Sequence, residues 1–354
     1  MRGSKRTLIM WGVSLFAVVC IVVAFREQLG FIEEGLDVAS RADTGKSLVV
    51  VLLLVFALLS MGEVMYLLLE SGAPRMRRRD TAMLTFAANS WSTTLPGGPA
   101  FSAIFTFQVQ RSWGASVVLV SWFIVLSGVL STMWLAVLGL VGVLLLGAHL
   151  SLLSLIGTIV IMVGVATIVY WVSRNPETVT RCAVWVVRQI NRLSHGPRDR
   201  WVPAVRRQFL QLRSVVLSPG RFAIAAMWSL ANWVFDILGL WAAVWAITGS
   251  LPWLEREPNS TTIVGVVLAF VTAKIAGSAQ VTPGGIGPVE AAMVGTLVAT
   301  GMTASAATAS VIIYRLVSLI LITAIGWVIY LASFVPRGLT PATSRSAASD
   351  KLDS

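Results

Sequence analysis

The chain has 354 residues, 56% of them hydrophobic and 12% charged, with a formal net charge of +11 and a mean hydropathy of +0.81. Soluble globular chains hold about one quarter charged residues, so this composition excludes a sizeable water-soluble domain. The basic excess is not a nucleic-acid footprint: Lys and Arg fall in short stretches between apolar spans, as membrane proteins distribute them.

A hydrocarbon core needs about 20 apolar residues per helix. The first such run, residues 8–25, follows Arg2, Lys5 and Arg6. No small-x-small cleavage site follows it, and Val19 before Cys20 does not suit a lipoprotein signal, so an uncleaved helix with a cytoplasmic N-terminus is expected. It leads into an acidic loop over 26–46. Residues 48–69 return to Arg75, Arg77, Arg78 and Arg79, a cluster that marks the cytoplasmic side.

Residues 81–110 are apolar but broken at Leu95-Pro96-Gly97-Gly98-Pro99. Basic flanks on one side imply an even number of crossings, while each arm has only about 15 residues, short for a full span. A re-entrant hairpin fits both facts. Spans over 115–137 and 151–172 go out and back. The segment 174–221 is strongly basic, and Arg174, Arg181 and Arg188 recur every seven residues, on one helical face with Arg192 nearby. This predicts an amphipathic helix on the anionic inner leaflet, or a solvated linker kept basic for topology. Ser218-Pro219 reads as an N-cap with proline at the first helical position, opening a span over 222–247. Residues 261–300 are again broken, at Thr282-Pro283-Gly284-Gly285-Ile286-Gly287-Pro288. A last span over 304–334 returns to Arg337, and a polar tail over 337–354 is expected to be disordered.

The offset that carries Pro96 onto Pro283 also carries Gly114-Ala115-Ser116 onto Gly301-Met302-Thr303. Charge flanks put the ends of the first hairpin inside and those of the second outside. The expected fold is therefore all-α and polytopic: a single membrane domain over 1–336, with about six full transmembrane helices plus two re-entrant Pro-Gly-Gly hairpins. Its inverted-topology repeats span 48–137 and 222–334, an arrangement common among secondary transporters. Non-helical backbone at membrane depth survives only where protein buries it or water reaches it. Two breaks meeting at the midplane would set helix N-termini beside a cavity, a site for an anion such as a phosphate. The bland alternative is a pair of glycine-assisted breaks that pack tightly and bind nothing.

Charged side chains at membrane depth cost several kcal/mol unless paired or hydrated. Five stand in or beside apolar spans: Glu63, Asp236, Lys274, Glu290 and Arg315. Lys274 and Arg315 suit an anionic head group near the second break. Asn232 and Asp236, four apart, share a helical face and could line the same cavity. Glu290 falls where the second half-helix begins and is favoured there by the helix dipole, which a purely capping role would also explain. Internal ion pairs holding the bundle together are the plainer account of the whole set. No nucleophile–base or metal-ligand arrangement stands out among these residues, and Cys20, Cys182, His149 and His195 are too scattered for a disulfide or metal site. No cofactor, metal or covalent catalysis is expected.

Thr282-Pro-Gly-Gly-Ile-Gly-Pro-Val-Glu290-Ala-Ala resembles the signature of the flippase-like family, also called the lysylphosphatidylglycerol synthase transmembrane region. Ile313-Tyr314-Arg315-Leu316 followed by Gly326 is similar to that family's last-helix motif, and the first Pro-Gly-Gly with Arg111 and Gly114-Ala115-Ser116 resembles its N-terminal half. The resemblance implies movement of a lipid across the cytoplasmic membrane: aminoacylated phospholipids in bifunctional members, glycolipids or polyprenyl-linked lipids in others. It carries Pro283, Gly284, Gly285, Glu290 and Arg315 over as matching positions. After the first proline many members have Gly-Glu and an Arg, where this chain reads Gly97-Gly98-Pro99-Ala100 and Phe107-Gln108, so no substrate is carried over. Because the sequence runs to Ser354, a stand-alone membrane part without the soluble aminoacyl-transfer domain is expected.

The candidate translocation residues are thus Pro96, Gly97, Gly98, Asn232, Asp236, Lys274, Pro283, Gly284, Gly285, Glu290 and Arg315. The expected partners are membrane lipids, with a second copy of the chain or envelope-synthesis enzymes open and nucleic acid not expected. Two rival readings are a membrane-embedded lipid-phosphate transferase using Glu63 or Asp236 as base, and a non-transporting scaffold that docks envelope enzymes on 174–221.

Overall fold

A computed structural model describes residues 42–73, 75–95, 97–145, 164, 218–255, 258–278 and 282–339. Pro96, the expected helix over 8–25, the basic segment with Arg174, Arg181, Arg188 and Arg192, and the tail beyond 339 lie outside these residues, as does the span over 151–172 apart from Gly164. Every regular element among the described residues is helical: α1 (Thr44–Leu69), α2 (Arg78–Thr94), α3 (Gly98–Ser112), α4 (Val117–Leu145), α5 (Pro219–Thr248), α6 (Ile263–Gly277), α7 (Pro288–Ala299) and α8 (Ala304–Phe334). Four of them, α1, α4, α5 and α8, are long and apolar enough to cross a bilayer, and the chain is a multi-pass membrane protein.

Local chemistry sets the ends of these helices. The Asp43 carboxylate accepts from the Lys46 N–H at 3.1 Å and caps α1, and the Ser218 hydroxyl does the same for α5 from Arg221, as Ser-Pro predicts. Gly249, with φ of +77°, ends α5 in a left-handed turn. Between its caps α1 is apolar on all sides: Leu48, Leu52, Phe56 and Leu59 stay exposed while Val50, Leu54, Ala57 and Val64 are buried. That exposed stripe is the side turned to lipid.

Helices α1 and α5 run antiparallel along their full lengths. Lys46 at the start of α1 reaches the Trp245 carbonyl near the end of α5, and Arg221 at the start of α5 pairs with Glu70 just past α1 at 3.3 Å. Between them Asn232 Nδ2 donates to the Ala57 carbonyl at 2.8 Å. This pair supplies a fixed frame for the rest.

Helices α2 and α3 form an antiparallel hairpin whose open end meets the end of α1. The Arg75 N–H donates to the Trp113 carbonyl at 3.4 Å across that opening. Helices α6 and α7 form a second hairpin, open at the other end of the bundle: Thr261 donates to Thr300 at 2.8 Å, and Ile263 N–H to Trp253 beyond the end of α5. The arms have 17, 15, 15 and 12 residues. At 1.5 Å per residue these are about 18 to 26 Å long, each shorter than the ~30 Å hydrocarbon core.

Backbone geometry repeats between the hairpins at the positions matched in sequence. Gly97 and Gly284 are both left-handed, with φ of +64° and +58°. The Ala115 N–H donates to Gln110 as Met302 does to Leu297, and Gly114 and Gly301 both have positive φ before the capping residues Ser116 and Thr303. One solution for leaving a hairpin and entering the next helix is therefore used twice.

Helix α8 joins both hairpins. Near the first tip, Ser90 Oγ donates to the Thr323 carbonyl, Thr93 meets Thr323 at 2.9 Å, and Trp327 Nε1 donates to Thr94. Below them Trp91, Phe105, Tyr330 and Phe334 pack edge to face and tilted, at centroid spacings of 5.3–6.1 Å. Close approach needs Gly326, where a Cβ would overlap the Phe86 carbonyl and Ser90 Oγ. Small residues permit such contacts in membranes, where packing and hydrogen bonding drive association. Gly326→Val is expected to destabilise the fold by about 3 kcal/mol through overpacking, read as a lowered thermal midpoint in detergent. Gly128→Ala, at a position with open space, should leave that midpoint unchanged; equal midpoints for both variants would refute this account of the α2–α8 contact.

Candidate functional site

A cavity of about 300 Å³ lies where the second hairpin's tip meets α1, α2, α5 and α8. Its polar wall draws Asn232 and Asp236 from α5, Lys274 from α6, Gly284 and Gly285 from the break, and Tyr314, Arg315 and Ser318 from α8. Asn89, Ser92 and Thr93 of α2 face it from the first hairpin, and Leu54 and Leu58 of α1 add an apolar side.

Two ion pairs dominate the site. Lys274 Nζ contacts Asp236 Oδ2 at 2.9 Å, and the Tyr314 hydroxyl donates to Asp236 Oδ1 at 2.6 Å. The same ammonium lies over the rings of Phe270 and Trp233, 4.7 and 5.3 Å from their centroids, in favourable cation–π positions. In the second pair, Arg315 Nε contacts Glu290 Oε1, while Arg315 Nη2 donates to the Gly284 carbonyl at 2.7 Å. Arg315 is 8% exposed. It grips the second hairpin on both sides of its break.

Glu290 explains how that break is held. Its other oxygen accepts from the Gly287 N–H at 2.6 Å, closing the first turn of α7. The chain's own carboxylate thus fills the anion position at this helix N-terminus. Pro283 is buried at the tip, and Gly284 and Gly285 take left-handed φ values of +58° and +68°. Non-glycine residues enter that region only at a cost.

Of the residues expected from sequence, Asn232, Asp236, Lys274, Gly284, Gly285 and Arg315 share the cavity wall, with Glu290 one layer behind and Pro283 under the tip. Gly97 and Gly98 stand outside this wall. Gly97 is exposed at the first tip, and Gly98 is buried where a Cβ would strike the Ser92 carbonyl. The first break turns Gly98 into its own packing, leaves Gly97 outside, and presents the hydroxyls and amide of α2 to the cavity instead. Glu63 pairs with Arg78, which also stacks on Tyr66 at 4.5 Å, at the end of α1 and outside the cavity wall.

Sequence reading missed Tyr314 as a site residue, although it stands in the quoted last-helix motif. It also missed Asn89, Ser92, Thr93 and Ser318. Ser318 lies in a π-helical stretch, Leu316–Leu321, directly after Arg315. Such wide turns gather at functional sites and leave no periodic mark in sequence. Among the described residues neither the Ser318 hydroxyl nor the Trp233 indole N–H beside Lys274 has a hydrogen-bond partner.

No curated protein and no solved structure shows detectable similarity to the chain. The family model described as the lysylphosphatidylglycerol synthase TM region matches residues 9–326, a stretch that includes every cavity residue, and the chain belongs to that family.

Proposed function

We propose that this protein moves a phospholipid head group across the cytoplasmic membrane without any covalent step. The observation that carries the reading is the polar, internally ion-paired cavity at the place where a broken hairpin meets α1, α2, α5 and α8. Charges at this depth are expensive and mark substrate pathways. The hairpins open at opposite ends of the bundle and repeat the same backbone turns, which supports an inverted-topology pair of re-entrant elements around one central site. The basic cluster Arg75, Arg77, Arg78 and Arg79 supports a cytoplasmic position for the first hairpin's open end. A head group entering the cavity would exchange water for Lys274, Ser318 and the α2 hydroxyls, while its tails stay in the bilayer.

The test is lipid scrambling in proteoliposomes with head-group-labelled anionic and cationic lipids. Wild type is expected to move at least one class, and Lys274→Met to slow it by about 30-fold through loss of the cavity's ammonium. Translocation by well-folded Lys274→Met at the wild-type rate would refute a head-group role for this cavity. Incubating purified protein with the same lipids and finding a new covalent product would favour a membrane-embedded transferase.

A further inference from the structure

Both cations of the cavity are already neutralised by the protein. Lys274 carries Asp236 and Arg315 carries Glu290, so an incoming phosphodiester adds a negative charge to a balanced site. We infer that head-group binding here is an ion exchange coupled to a proton: the phosphodiester takes Asp236's place on Lys274, and Asp236 is neutralised by proton uptake. This rests on the head-group reading above and adds a coupling ion to it.

The two pairs differ in how easily they open. Arg315 and Glu290 have side chains 9% and 16% exposed, and both are bound again to the hairpin backbone, through Gly284 and Gly287. Opening that pair would release the tip and uncap α7. Lys274 and Asp236 are 36% and 18% exposed, and Asp236 is the lysine's one carboxylate partner among the described residues. An ammonium has three donors, and the rings of Phe270 and Trp233 hold it in place without using any of them. Exchange therefore falls on Lys274.

Once Lys274 turns to a phosphate, Asp236 would be an unpaired carboxylate at membrane depth, a state that costs several kcal/mol. Lys274 faces it from α6; Tyr314 and, behind it, the occupied Arg315 come from α8; Asn232 comes from its own helix. Glu290 of α7 is spent on Arg315. From α1 and α2 the wall receives only Leu54, Ala57, Leu58, Asn89, Ser92 and Thr93, none of them titratable. Among the described residues no second free cation in the wall can replace Lys274, so a proton from cavity water would. Tyr314 suits both states: its hydroxyl donates to the carboxylate now and can accept from the carboxylic acid afterwards.

The experiment is calorimetric titration of the full chain in detergent with dihexanoyl phosphatidylglycerol, in two buffers of different ionisation enthalpy. Its phosphodiester does not titrate near neutral pH. Wild type is expected to take up about one proton per lipid, with affinity falling about tenfold per pH unit above neutrality. Asp236→Asn should abolish the uptake, flatten the pH dependence and bind about tenfold tighter at pH 8; a merely structural Asp236 would give weaker binding instead. Wild-type binding without proton uptake would overturn the exchange and leave the head-group reading standing, and this arm needs no variant to fold. No lipid binding at all would overturn both. Dimethyl phosphate, the same group without tails, should bind far more weakly. Equal affinity would overturn the lipid source while leaving the exchange intact.

Discussion

Arg315→Ala is expected to reduce lipid translocation about 100-fold or more. The guanidinium joins α8 to residues on both sides of the second break, so its loss frees the Gly284 carbonyl and strands the Glu290 carboxylate. Breaking a buried ion pair from one side costs about 3–5 kcal/mol, and 3 kcal/mol already exceeds a factor of 100. Arg315→Lys should recover little, because a single ammonium cannot reproduce a fork that serves a carboxylate and a carbonyl together. Adding Glu290→Gln to Arg315→Ala should restore thermal stability relative to Arg315→Ala alone, since the stranded charge is gone, while transport stays low. Scrambling rates and thermal midpoints of the three variants check this. An Arg315→Ala protein that folds normally and transports within twofold of wild type would remove the residue from the mechanism.

Gly284→Val is the second large effect. At φ of +58° an L side chain sits in the left-handed region, at a cost of about 1–2 kcal/mol. Its Cβ would also overlap Leu319 Cδ1 and stand 3.3 Å from the Thr93 carbonyl, adding an overpacking cost of about 1–3 kcal/mol. Together these should lower stability by about 3–4 kcal/mol and push the second tip away from α2 and α8. Gly97→Ala isolates the backbone contribution: φ is +64°, but nothing lies within 4 Å of the new Cβ. It should lose only about 1 kcal/mol and keep its transport. If both variants lost the same stability, backbone conformation alone would explain the effect and tip packing would not.

Much of the fold was legible because the bilayer imposes a length and water imposes a charge pattern. The spans over 48–69, 222–247 and 304–334 lie within or coincide with α1, α5 and α8, since a helix that must cross about 30 Å of hydrocarbon declares itself as a long apolar run. The start of α5 was visible in Ser218-Pro219, because a cap is a property of adjacent residues. Helix α4 continues to Leu145, past the expected end at 137, because no polar residue stops it there. The four-residue spacing of Asn232 and Asp236 placed them on one face correctly, for helical periodicity is likewise local.

Pairing was not legible. Lys274 meets Asp236 across 38 positions and Arg315 meets Gly284 across 31, and both contacts depend on how far one helix slides along another. The repeated Pro-Gly-Gly suggested equivalent roles for both breaks, yet the second lends Gly284 and Gly285 to the cavity while the first buries Gly98 against Ser92. The breaks also differ locally, since Gly285 is left-handed at φ of +68° where the matching Gly98 already stands in α3. Sequence alone therefore reached the membrane, the broken hairpins and the charged residues that need a reason to be there. Which charge neutralises which, and which glycine faces the cavity, came only with the packing of distant helices, because electrostatic partnership depends on separation in space and the chain records separation in sequence.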